Sequence, residues 1–183
     1  MTESELYKEL GKLTKDREKW PESVPYLSTL LTHESTKIKA KAIWMLGEIG
    51  LVYPHLISDV VPSIYSFCKS SEPLLRERAV NALGRIGRGC FSNIEMYWED
   101  LFCLASDVEP KVRLSFIWAS ENIATNTPEI FRVLGKRRPE FVRPYLPELQ
   151  KLSETDENRV VRIHASGAIR AADPNSQIIC KSR

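Results

Sequence analysis

Three stretches of this chain fall on one another at a fixed spacing. IKAKAIWMLGEIG (Ile38 to Gly50), LRERAVNALGRIG (Leu75 to Gly87) and VRLSFIWASENIA (Val112 to Ala124) begin at Ile38, Leu75 and Val112, each 37 residues beyond the last. A period of this size marks a solenoid: one small unit cannot bury its apolar face alone, so successive units stack and share a continuous core. A fourth copy, VRIHASGAIRAAD, starts at Val161, 49 residues after Val112, so an insert separates copies three and four. Within it Thr127 can cap, Pro128 suits a first helical position and EIFRVLGK runs up to Pro139, which predicts an inserted helix.

Ahead of each copy lies a shorter apolar segment: VPYLSTLL, VVPSIYSFC, YWEDLFCLA and VRPYLPELQKL. Polar turns such as SSEP (Ser70 to Pro73) and SDVEP (Ser106 to Pro110) close them, so each unit reads as helix, turn, helix. Prolines fall at starts and turns, where a missing N–H is tolerated. At the N-terminus, Thr2 followed by Glu5 is a capping box that starts a further helix. The expected organisation is one domain, 1–183. It comprises an N-terminal helix (1–20), units at about 21–57, 58–95, 96–125 and 141–173, the inserted helix at 126–140 and a tail at 174–183.

These units resemble HEAT repeats, of the type also called PBS-lyase-like. The likeness rests on the basic-start, alanine- and leucine-rich helix with Gly near its end, best seen in Leu75 to Gly87, and on the Asp-to-Arg turn from Asp107 to Arg113. It covers about Val24 to Asp173. The resemblance implies an all-α, right-handed armadillo/HEAT-like superhelix of about four repeats, whose second helices line a concave surface. It says little about activity, because scaffolds, adaptors and a few enzymes share the architecture.

On a helical wheel at about 100° per residue, the anchor of each copy counts as position 0. Positions 0, 4, 5, 8, 11 and 12 then span an arc of about 140°. In copy two they are Leu75, Ala79, Val80, Leu83, Ile86 and Gly87, a core face. Position 1 lies inside that arc yet is always basic: Lys39, Arg76, Arg113 and Arg162. The reading is a structural ladder in which an arginine reaches an aspartate of a neighbouring turn, Asp107 or Asp156, a use of arginine that the HEAT resemblance supports; phosphate binding is the alternative role.

Position 6 lies opposite the core and holds Trp44, Asn81, Trp118 and Gly167. Trp44 and Trp118 should therefore face the groove, on the order of 20 Å apart. Around them the same arc carries Lys41, Glu48, Glu77, Arg78, Arg85, Arg88, Glu121 and Asn122. Aromatic rings flanking arginines make the composition of a binding hot spot. The candidate binding residues are Trp44, Glu48, Arg78, Arg85, Arg88, Trp118 and Asn122. A second basic group, Lys136, Arg137, Arg138 and Arg143, reads as a solvated turn, with a site for a phosphate backbone or an acidic partner as the alternative.

A net charge of +2 gives the whole molecule little attraction for nucleic acid or acidic membranes, so any basic function must be local. No apolar run approaches the about 20 residues of a membrane span. Cys68, Cys90, Cys103 and Cys180 form no CxxC pair, and with no secretory signal ahead of them they read as reduced, mostly core thiols of a cytoplasmic protein. There is no HExxH, GxSxG or phosphate loop, and His33, His55 and His164 sit in different units as surface side chains. No catalytic, cofactor or metal residue is expected.

The function expected is a non-catalytic scaffold binding a protein through its concave face. One alternative rests on resemblance: Val112 to Leu134 is similar to a segment of the HEAT-like DNA alkylation-repair glycosylases. That would make Trp118 a groove aromatic and turn Arg78, Arg85 and Arg88 toward phosphates. The catalytic Asp of that family, four residues after a Trp, has no equivalent here. Asn122 follows Trp118, Phe102 follows Trp98, and only Trp44 is followed by an acid, Glu48. Self-association is a further expectation should Ile178 and Ile179 fail to cover the last repeat.

Overall fold

The computed structural model describes residues 2–125, 143 and 146–173. Helix α1 (Glu3–Lys15) opens with the expected capping box: the Glu5 N–H donates to Thr2 Oγ1 at 3.3 Å and the Thr2 N–H to Glu5 Oε2 at 2.8 Å. Helix pairs follow. α2 (Trp20–Thr29) tightens into a 3-10 turn, Leu30–Thr32, before α3 (Thr36–Val52). α4 (Val61–Ser66) and α6 (Glu95–Trp98) likewise run on as 3-10 segments before α5 (Pro73–Gly89) and α7 (Pro110–Thr125). α8 (Leu146–Thr155) and α9 (Arg159–Ala172) complete the described chain, which contains no strand. Pro73 and Pro110 stand at the first positions of their helices, whereas Pro25 lies inside α2, on its exposed side. The expected insert at 126–140 and tail at 174–183 lie outside the described residues.

The long second helices stack in order, α3 on α5, α5 on α7 and α7 on α9, with α1 packed against α3. The result is an armadillo/HEAT-like α-solenoid with one running core. Ile38, Ile43, Leu46 and Ile49 of α3 are fully buried, as are Ala79, Val80, Leu83 and Ile86 of α5 and Val112, Phe116, Ile117 and Ile123 of α7. The buried sector is wider than the arc drawn from the sequence. Position 7 (Met45, Ala82, Ala119, Ala168) and position 9 (Gly47, Gly84) are also buried, because each second helix has a neighbour on either side. A Cβ on Gly84 would lie 2.7 Å from that of Ala119, and one on Gly47 would lie 2.7 Å from Ala82 Cα. Glycine at position 9 thus lets the next helix come to backbone contact.

The arginine ladder is present at two junctions. Arg76 Nε and Nη2 donate to the two carboxylate oxygens of Asp107 at 2.7 and 2.8 Å, while Nη1 reaches the carbonyls of Ser70 and Ser71. Arg113 repeats the arrangement on Asp156 at 2.7 and 3.1 Å, with Nη1 on the carbonyls of Asp107 and Val108. Arg162 makes the carbonyl half of the motif, to Asp156 and Glu157. Lys39 does not continue it: Ser70 stands where the aspartate would be, and an ammonium has no fork to offer.

Candidate functional site: a basic, aromatic trough

The outward sector of the second helices is built from positions 2, 3, 6 and 10, mostly half-buried with Ala40 and Ser115 buried, and their neighbours follow from the 37-residue register. Position 6 of one copy meets position 3 of the next. Asn81 Nδ2 donates to Ser115 Oγ at 2.8 Å, Trp44 shares a depression with Arg78, and Trp118 shares one with His164. A depression of about 330 Å³ runs from Trp44 across Glu77, Arg78, Asn81 and Arg85 to Trp118 and His164. A second, of about 270 Å³, is lined by Tyr7, Lys37, Ala40, Lys41, Trp44, Leu74 and Arg78. Trp44 and Arg78 line both, so the two depressions adjoin and together form a trough that reaches from α1 to α9.

Its electrostatics come from cations held against rings. Lys41 Nζ lies 4.3 Å from the Trp44 ring centroid, and the Arg85 guanidinium lies 4.7 Å from that of Trp118. Arg85 Nε also contacts Glu48 Oε1 at 2.5 Å; these side chains are 22% and 19% exposed. Burial lowers the Arg85 pKa, Glu48 opposes the shift, and Arg78 and Arg88 add to it. Lys41 is lowered by burial first and then by the charge of Arg78. Glu77 lies 3.6 Å from Arg78.

Of the residues singled out from the sequence, Trp44, Arg78, Arg85 and Trp118 line the trough together. Glu48 reaches it only through Arg85. Arg88 is half-buried and close enough to act on Arg85, but it lines neither depression. Asn122 lies on α7, its side chain outside the description. The basic strip is therefore not uniform, since its middle member, Arg85, already holds an anion and a ring.

His164 is half-buried and lines one end of the trough. His33 Nδ1 instead accepts the Ser35 N–H in a turn, and His55 is exposed. Lys41 and Glu77 were placed on the groove arc by the sequence but not among the binding residues; Tyr7 and Lys37 were missed. Position 3 was the available signal, for it reads Lys41, Arg78, Ser115 and His164 down the copies. Of the cysteines, Cys68 is buried, Cys90 half-buried and Cys103 exposed, so the expectation of mostly core thiols holds for Cys68 alone among the described residues. No group of three His, Cys, Asp or Glu side chains stands together among the described residues, and no described helix is long and apolar enough to cross a membrane.

The HEAT repeats family matches residues 24–93, which spans α2 to the turn after α5. Among solved structures, the chain is similar to an engineered protein (21% identity, TM-score 0.62) over 82% of this chain and 62% of that one. It is also similar to a designed armadillo repeat protein in complex with the peptide (KR)4, at 24% identity and TM-score 0.61, over 80% and 63%. A third relative is a computationally designed armadillo repeat protein for modular peptide recognition, at 22% identity and TM-score 0.56, over 79% and 62%. The chain thus spans less than two thirds of the length of these relatives. No curated protein matches it. The fold is thus that of an armadillo/HEAT-like α-solenoid, with a HEAT repeats match over residues 24–93.

Proposed function

We propose that this protein is a non-catalytic interaction module whose trough takes an extended, acidic segment of a protein partner. The observation that carries the reading is the pair of adjoining depressions with Trp44 and Trp118 along them and Lys37, Lys41, Arg78 and Arg85 on their walls, against two carboxylates, Glu48 and Glu77. A solenoid presents such a surface as a line of repeated pockets, which suits an extended chain. The designed armadillo relative holds a basic peptide. Here the charge of the trough has the opposite sense, so complementarity favours an acidic one. We place its action inside the cell, where Cys68, Cys90 and Cys103 stay as thiols. Of the two carboxylates at the trough, Glu48 is engaged by Arg85 and Glu77 lies 3.6 Å from Arg78, so both stand beside a guanidinium, which speaks against repair-type chemistry.

The test is a titration of labelled acidic peptide, (KR)4 peptide and duplex DNA, intact or with an abasic site, each at two salt concentrations. The acidic peptide should bind best, with Trp118→Ala weakening it at least tenfold. Tight, lesion-selective DNA binding that falls steeply with salt, by about 0.9 log units per log unit for each phosphate contacted, would replace this reading with a DNA-binding one.

A further inference from the structure

Resting on that reading, we infer that the depression between α1, α3 and α5 is a seat for a phosphorylated side chain of the bound peptide. Three cations from two helices meet there, Lys37 and Lys41 one helical turn apart on α3 and Arg78 on α5, and among the described residues no carboxylate lines it. Ala40 and Leu74 supply apolar surface, and the rings of Tyr7 and Trp44 also line the space. The same register that stacks α3 on α5 forces the like charges together, because Lys41 and Arg78 are both position 3 of their copies.

Charge bookkeeping separates this depression from the rest of the trough. Arg85 has Glu48 at contact distance, whereas among the described residues Arg78 has the looser approach of Glu77 at 3.6 Å. Lys41 has a ring rather than an acid as its close contact, and its proton is already held less firmly because of burial and then Arg78. Adding an anion relieves both costs at once, and a dianion relieves them further. The donor set also suits phosphate. The Arg78 fork can engage two oxygens while the lysines act as point charges on the third. A carboxylate has two oxygens and would leave part of the lysine charge uncompensated. The available volume, about 270 Å³, admits a phosphorylated side chain with the ring of Trp44 beside it.

The experiment uses the full chain and the peptide EESEE with and without phosphate on its serine, read by fluorescence anisotropy, together with inorganic phosphate alone, read by NMR. The phosphopeptide should bind at least tenfold tighter than its parent. That preference should collapse to within about twofold in Lys41→Gln and in Arg78→Gln, variants checked for an unchanged thermal midpoint. It should persist in Lys151→Gln, which removes the same charge from the exposed side of α8. Equal binding of the two peptides overturns the seat while leaving the trough reading intact. So does a preference that survives Lys41→Gln, which would place the phosphate elsewhere. Inorganic phosphate as tight as the phosphopeptide would make this a free-anion site and would also overturn the proposal. If neither peptide binds, the trough reading fails and the seat fails with it, since saturable shifts from inorganic phosphate would then mark a free-anion site only.

Discussion

Replacing Arg113 with alanine tests how the last helix pair is fastened to the rest. The guanidinium makes four hydrogen bonds, two to the Asp156 carboxylate and two to the carbonyls of Asp107 and Val108. Arg113 is 11% exposed and Asp156 only 4%, so truncation strands a nearly buried carboxylate. Breaking a buried ion pair from one side costs about 3–5 kcal/mol. Two features set the value here at the low end. Val108 is 89% exposed, so water can reach the freed carbonyls, and Asp156 keeps its bond from the Asn158 N–H at 2.9 Å. The expected loss is therefore about 3 kcal/mol, a urea midpoint lowered by about 1.5 M for a slope near 2 kcal/mol per molar. Equilibrium unfolding followed by far-UV circular dichroism measures it. A double-mutant cycle with Asp156→Ala should return a coupling of about 2 kcal/mol or more. A single-mutant loss below about 1 kcal/mol, or strictly additive losses in the cycle, would refute the claim that this pair carries the junction.

Two further expectations follow from the packing. Gly84→Val should destabilise by about 1–3 kcal/mol, since its Cβ would collide with the backbone and Cβ of Ala119 and push α5 from α7, whereas the same change at Gly11, which has open space, should cost far less of the urea midpoint. Burial by itself would raise the Asp107 and Asp156 carboxyls, but the hydrogen bonds from Arg76 and Arg113 and from backbone N–H groups outweigh it and hold both below the ordinary 3.8; the stability they contribute is present above that value and lost as pH falls through the lowered pKa values, so acid unfolding should steepen below about pH 4 and flatten in the Arg76→Ala, Arg113→Ala double variant.

Much of the architecture is legible because a repeat converts sequence spacing into spatial neighbourhood. Arg76 and Arg113 at position 1, beside turns that carry Asp107 and Asp156, are enough to anticipate the ladder. Glu48 and Arg85 lie 37 residues apart with opposite charge, so their pairing was also open to this logic; reading each helix on its own wheel hid it. Burial at Gly47, Gly84 and Ala119 has the same explanation, since a wheel drawn for one helix knows one packing face and these helices have three. Tyr7 could not be reached in this way. Its place in the trough depends on how α1 lies across α3, and α1 is outside the repeat.

The fastening of the junctions has a mechanical consequence. The second and third are riveted at the helix starts by Arg76 on Asp107 and Arg113 on Asp156. The first has no such rivet at Lys39 and is tied toward the opposite end, by Glu48 on Arg85 and by Asn93 Nδ2 on the Pro54 carbonyl at 2.8 Å. With Gly47 against Ala82 as the fulcrum, α3 and α5 form a pair of shears whose handles are clamped and whose blades, at Lys41 and Arg78, carry no lock. Strain on the first junction is thus carried toward the ends of α3 and α5, whereas at the second and third it is carried at the helix starts.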